Sequence, residues 1–178
     1  MSFRAIIGPN ASQQAFRRRK DSTSRDHVVV HEAARWVFCA YHRIPVLEIR
    51  MSDTTCEVRY TTDRAFRNKA SIHNFVQMLM SGVITIQTVL GEENFLFERA
   101  VMESQQLWQL AGEHMHESID AFDDMLATSC RETIAHLAEV NVRSAILSVT
   151  RILMRQRTDV TGHELQRLLL HTHHILRG

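Results

Sequence analysis

Hydrophobic and polar positions along this chain repeat mainly with the spacing of a helix. The stretch from Asp26 to Arg43 is apolar on nearly all sides, which predicts a central and buried helix. Pro45 follows it and is expected to stop the helix and to set the next residues extended. Two short alternating runs come next, Val46 to Met51 and Cys56 to Tyr60, and their period of two predicts a β-hairpin.

The rest of the chain returns to helical periodicity. Residues 71–90 are apolar and residues 93–110 follow as a second predicted helix, while the C-terminal third repeats its apolar residues at helical spacing throughout. The last helix has a start signal of its own, because Thr161 can cap it and Glu164 completes a capping box. The predicted fold is therefore mainly α with a small β-hairpin.

Length, charge and cysteines define a broad class. A chain of 178 residues fits one domain over residues 26–178, preceded by a polar, basic N-terminal arm over residues 1–25. The net charge of +1 gives no overall attraction to nucleic acid, and no apolar run reaches the length of a membrane span. Three widely spaced cysteines indicate reduced thiols rather than a disulfide framework, so we expect a cytoplasmic protein.

The buried helix carries polar residues on one side only, and these are the candidates for chemistry. His31 and Glu32 begin the segment HEAAR, which differs by one residue type from the HEXXH motif of zinc peptidases. In that motif two histidines at i and i+4 bind zinc and the glutamate acts on a metal-bound water. Here the i+4 position is Arg35, which has no lone pair to donate to a metal. At 100° per residue the stripe comprises His27, His31, Arg35 and His42, with Glu32 beside it.

The order of these elements resembles the peptidase domain of the FtsH-type AAA zinc metalloproteases. The resemblance covers roughly residues 27–170 and rests on VVVHEAARWVFCAYHRIPVLEIRM (28–51), LMSG (79–82), GEENFLFERAVMESQQLW (91–108) and DVTGHELQRLL (159–169). It implies an FtsH-type zinc-peptidase-like helical domain. The ATPase module has no counterpart here, since the chain contains no GxxxxGK[ST] phosphate loop.

Transferring the family's site residues to this chain implies a degenerate centre. The first zinc ligand corresponds to His31 and the catalytic glutamate to Glu32, but the second histidine corresponds to Arg35 and the third-ligand aspartate to Leu96. We expect Arg35 to replace the metal as the positive charge beside Glu32, and no cofactor to be bound. The resemblance then implies a proteolytically inactive module that binds a peptide or protein, or serves assembly, with the predicted hairpin over residues 46–60 as the docking edge.

Other interpretations stay open at this level. An active zinc metallopeptidase could use His27 and His31 with a third ligand from Glu93, Glu103 or His114, and Glu32 as general base. Because family peptidase domains form rings, a homo-oligomer is also possible. No nucleic-acid partner is expected, because the arm around Arg17 has almost no aromatic residues among its basic ones.

Overall fold

The computed structural model describes residues 24–53, 55–61, 69–90, 100–105, 108 and 120–178. Its elements are α1 (Ser24–His42), β1 (Val46–Met51), β2 (Cys56–Tyr60), α2 (Lys69–Leu90), α3 (Asp120–Ala138), α4 (Val140–Arg155) and α5 (Gly162–Leu176). Residues 100–105 and residue 108 are also helical, and they are the described part of the helix predicted over 93–110. The prediction of a mainly α fold with a small hairpin is confirmed. The N-terminal arm lies outside the described residues, except for its last two positions.

Helix α1 is the centre of the molecule, as its sequence predicts. It packs against α2, α4, α5 and β2, so it is covered on most sides. Val29, Ala33 and Val37 have no exposed surface, and Trp36 is buried while its indole N–H donates to the hydroxyl of Thr172 on α5 at 2.9 Å. That bond satisfies the one polar group of a large buried ring.

The C-terminus of α1 is set by a backbone motif as well as by the proline predicted to stop it. Arg43 adopts a left-handed conformation with φ of 56°. The N–H of Ile44 donates to the carbonyl of Cys39 at 2.8 Å, and the N–H of Arg43 donates to that of Ala40 at 3.3 Å. These two bonds form a Schellman motif, which usually has glycine where Arg43 stands. Pro45 then begins the approach to β1.

The two strands have the bounds that the alternating pattern predicts. They pair antiparallel with Ile49 opposite Val58, and a register shift between Val46 and Glu48 leaves Leu47 exposed. Ile49 also exchanges two backbone hydrogen bonds with Val160, at 3.0 and 2.9 Å, on the side away from β2. The hairpin is thus tied to the α4–α5 connection as well as to α1.

The start of α5 differs from the predicted capping box. Thr161 is the N-cap residue by its backbone, but its side chain makes no capping hydrogen bond. The N–H of Glu164 donates instead to the backbone carbonyl of Thr161, at 3.1 Å. Gly162 has φ of 51°, a conformation that turns the chain into the helix without help from the threonine hydroxyl.

The core has two apolar clusters. One surrounds α1 and includes the hairpin, α4 and α5, and the other lies between α2 and α3 around Val76, Met80 and Phe122. Residues 100 and 108 belong to the second cluster, which places the segment over 100–105 beside α2. Among the described helices, none is long and apolar enough to cross a membrane.

Candidate functional site

The HEAAR segment lines a cleft of about 490 Å³. Its walls come from α1, the turn end of the hairpin, α2 and residues 100–105. The floor combines apolar side chains with the buried Glu32 and Arg35, and the rim is charged. The lining residues are Val28, His31, Glu32, Arg35, Arg50, Thr55, Cys56, Glu57, Leu79, Ala100 and Glu103.

Glu32 joins the helix to the hairpin at the floor of the cleft. Its Oε2 accepts the backbone N–H of Val58 at 2.8 Å, and its Oε1 accepts from Nη1 of Arg35 at 3.2 Å. His31 Nε2 lies 3.7 Å from the same Oε1. Burial raises the pKa of Glu32 above the ordinary carboxyl value, against the opposing effects of the Arg35 charge and the Val58 N–H. Both carboxylate oxygens are therefore engaged with partners from the chain itself.

Arg35 is the internal cation of the cleft. Besides Glu32, its Nη2 donates to the hydroxyl of Tyr60 at 3.1 Å and lies 3.9 Å from Oε2 of Glu103, while the guanidinium carbon is 5.4 Å from the Tyr60 ring centroid. Burial is the largest single influence on the pKa of Arg35 and would lower it, but Glu32, together with Tyr60, Glu103 and Cys39, outweighs burial. The pKa therefore lies above its usual value and the charge is permanent. The ion pair expected between Arg35 and Glu32 is thus present in the structure.

Helix α2 approaches α1 closely at His31. Gly82 faces the imidazole, and a Cβ added at Gly82 would lie 2.6 Å from His31 Nδ1, far inside contact distance. A side chain at position 82 would therefore displace the His31 ring. Glycine costs an α-helix about 1 kcal/mol relative to alanine, so the packing of the ring gives this residue a structural reason to be here.

The described donor groups of the cleft do not fit zinc. Zinc needs three or four N, S or O ligands at about 2.0 to 2.3 Å, and the Arg35 guanidinium stands between the carboxylates of Glu32 and Glu103. No group of three or more His, Cys, Asp or Glu among the described residues could hold a metal ion. Of the candidate ligands, Glu103 does line the cleft, whereas His27 is not among its lining residues. Leu96, Glu93 and His114 lie outside the described residues.

The hairpin over residues 46–60, expected to be an open docking edge, has partners on both of its outer edges at the central register. Since Ile49 bonds outward to Val160, the opposite residue Val58 also directs its backbone groups away from the ladder. There the Val58 N–H meets Glu32, and Val58 is 2% exposed. At the central register both outer edges are therefore occupied, so the cleft is the more open surface for a ligand.

A second polar cluster lies between α2 and α3, and sequence reasoning missed it. His73 Nδ1 is 2.9 Å from the Ser129 hydroxyl and its Nε2 is 2.6 Å from Oε2 of Glu132, which Gln77 also contacts. This resembles a Ser–His–Glu arrangement, but Ser129 has no exposed surface, which excludes it as a nucleophile for a bound substrate. His42, predicted to belong with the motif stripe, contacts this side of the molecule through Gln77. Only the helical spacing of His73 and Gln77 could have signalled the cluster.

No protein-family model matches this chain, and neither the curated proteins nor the solved structures include a significant match. The site must therefore be interpreted from its own geometry.

Proposed function

We propose that this chain is a degenerate FtsH-type peptidase-like domain without proteolytic activity, and that its cleft binds a peptide or protein segment. The observation that carries the proposal is the Arg35 guanidinium, which pairs with Glu32 where a metallopeptidase would place a metal. Each oxygen of the Glu32 carboxylate already accepts a hydrogen bond from the chain, one from the guanidinium and one from a backbone N–H, so its charge is compensated without a metal-bound water.

The cleft retains features that suit a peptide. Its floor contains Val28, Leu79 and Ala100, which can receive an apolar side chain, and its rim contains Glu57 and Glu103 for polar contacts. Concave sites with an apolar lining and a few polar groups are the usual form of ligand sites in proteins. The surrounding contacts of α1, α2 and the hairpin keep the walls in place.

Metal content and hydrolysis test the loss of activity. Untagged protein dialysed against a weak chelator is expected to hold far less than one zinc per chain by metal mass spectrometry, and to leave β-casein intact. One zinc per chain, together with casein hydrolysis abolished by Glu32→Gln, would contradict the proposal and favour an active metallopeptidase. The Arg35→His/Leu96→Asp variant is expected to acquire zinc affinity, which tests the family resemblance separately.

Peptide binding has a matched pair of variants in the hairpin turn. The hydroxyls of Ser52 and Thr55 are 2.6 Å apart, so replacing either one breaks this bond. Replacing Ser52 also removes the acceptor of the Thr55 backbone N–H at 2.9 Å, but of the two only Thr55 lines the cleft. Binding of fluorescein-labelled, unfolded β-casein is measured by anisotropy. Thr55→Trp should weaken it strongly, because the indole fills the mouth of the cleft, and Ser52→Trp should not. Equal effects of the two variants would place binding elsewhere.

A further inference from the structure

Charge is distributed unevenly along this nearly neutral chain. Residues 140–178 contain six arginines and two carboxylates, a formal charge of +4, so the remaining residues must carry −3 to give the total of +1. All six arginines are exposed. These residues comprise α4, α5 and their connection, which makes one helical pair strongly basic.

The helical pair places four of these six arginines on one outer surface. Asn141 bonds the Leu176 carbonyl at 2.8 Å and Ser148 lies 2.8 Å from His171, so α4 and α5 run antiparallel. Exposed residues follow at helical spacing along each helix, and a leucine lies within each row. We name this surface the basic face; it comprises Arg143, Leu147, Arg151 and Arg155 on α4, and His163, Arg167, Leu170 and His174 on α5.

The arginines of the basic face are not neutralised within the described part of the chain. None of them lies within 4.0 Å of a carboxylate oxygen there, unlike Arg35, Arg50 and Arg59, each of which is paired with a glutamate. Of the two carboxylates in the helical pair, that of Asp159 accepts the backbone N–H of Met51 at 2.7 Å. An unpaired cluster of cations of this kind attracts an anionic partner.

Apolar groups accompany the charges. Leu147 is 56% exposed and Leu170 is 70% exposed, and both are flanked by arginine or histidine along their helices. Between the helices lies a groove of about 350 Å³. Its lining is partly apolar, through Ile152, Val160 and Leu168, and includes Arg167 of the basic face. A partner that matches this surface offers carboxylates and apolar side chains together.

We propose that the basic face binds an acidic, amphipathic segment of a protein partner. Residues 140–178 contain no Phe, Trp or Tyr on which a nucleic-acid base could stack, and their permanent cations are all arginine, whose planar fork binds carboxylates through two hydrogen bonds. The exposed leucines complement the apolar side of such a segment. This proposal is independent of the cleft, whose described lining includes no residue of α4 or α5.

The probe is a fluorescein-labelled synthetic amphipathic peptide of leucine and glutamate, with a DNA duplex as the competing anion. The triple variant Arg151→Glu/Arg155→Glu/Arg167→Glu should raise the peptide Kd at least about tenfold, as three exposed ion pairs would. Leu147→Ser/Leu170→Ser should also weaken peptide binding. Arg151→Glu should weaken it more than its control Arg131→Glu, an exposed arginine on α3. Circular dichroism confirms that each variant keeps its helical content.

Three results would overturn the proposal. The peptide could fail to bind at low ionic strength, or bind the triple variant as well as the wild type. Alternatively, DNA could bind more tightly than the peptide and be indifferent to the leucine replacements, which would identify a nucleic acid as the partner. Since the comparison of Thr55→Trp with Ser52→Trp tests the cleft separately, failure here leaves the proposed function of the cleft standing.

Discussion

Removing either charge of the Arg35–Glu32 pair should destabilise the fold more than removing both. Arg35→Met leaves the Glu32 carboxylate buried without its cation, and Glu32→Gln leaves the guanidinium beside a neutral amide. The double variant is neutral, and the amide oxygen of Gln can still accept the N–H of Val58, as Glu32 does at 2.8 Å. A double-mutant cycle over these two positions therefore isolates the ion pair.

The size of the effect follows from distance and burial. Charges 3.2 Å apart attract by about 5 kcal/mol at an effective dielectric constant of about 20, and the side chains of Arg35 and Glu32 are only 10% and 8% exposed. Loss of one partner of a buried pair costs about 3 to 5 kcal/mol, whereas replacing both is often close to neutral. We expect each single variant to lose about 3 to 5 kcal/mol of unfolding free energy, or roughly 10 °C in Tm, and the double variant less than about 2 kcal/mol.

The chain offers a control ion pair with almost the same distance between nitrogen and oxygen. Arg59 and Glu48 are 3.1 Å apart, but their side chains are 44% and 25% exposed, so the coupling between Glu48→Gln and Arg59→Met should be much smaller than that of the buried pair. Denaturant unfolding followed by circular dichroism gives all the values. An Arg35→Met variant that loses less than about 1 kcal/mol, or a coupling no larger than that of the surface pair, would refute the replacement of the metal by Arg35.

The structure also fixes the direction of three further effects, on stability, on its pH dependence and on thiol labelling. Gly82→Ala should destabilise the protein by about 1 to 2 kcal/mol despite alanine's better helix propensity, and His31→Ala should relieve that loss; an unchanged unfolding midpoint would contradict the close approach. Burial lowers the pKa of His42 to about 4, below its unfolded value, so stability present above pH 6.5 should fall by about 2 to 3 kcal/mol toward pH 4.5. His42→Gln should flatten this slope, and an unchanged slope would contradict the burial of this ring. Burial raises the pKa of the Cys39 and Cys56 thiols to about 12 and that of Cys130 to about 11. A disulfide reagent at about pH 8 should therefore label these three thiols only in denaturant, and rapid labelling of the native protein would argue against this fold.

Much of the fold could be predicted because it depends on local periodicity. The strands Val46–Met51 and Cys56–Tyr60 have the predicted bounds, since alternation with period two and the polar residues between them are both local signals. Helix α1 likewise follows from its own apolar residues. The capping box predicted at Thr161 is not formed. The backbone conformation of Gly162 decides the start of α5 instead, and the pattern of residue types does not reveal that conformation.

The site could be predicted only where its residues share one turn of helix. The pair Glu32–Arg35 follows from i,i+3 spacing, but the bond from Val58 to Glu32 and the bridge from Ile49 to Val160 join residues distant in sequence. The helical projection also grouped His42 with this stripe. Seven residues separate it from Arg35, about 10 Å along the axis, and at that height α1 meets Gln77 instead of the cleft. A helical-wheel projection shows the side of the helix on which a residue lies but not its position along the helix axis.

The two proposed binding surfaces differ in how exposed their positive charge is, so the salt dependence of binding should distinguish them. Inside the cleft Arg35 is buried and paired with Glu32, so added salt hardly screens it and a ligand that fills the apolar floor keeps its affinity. On the basic face the arginines are exposed and not neutralised by described carboxylates, so binding of an acidic segment depends on an unscreened field. Raising ionic strength from about 0.1 M to 1 M shortens the screening length from roughly 10 Å to 3 Å. Casein binding that survives this change in the same sample that loses the acidic peptide would assign the two ligands to different surfaces, because one shared site would lose both.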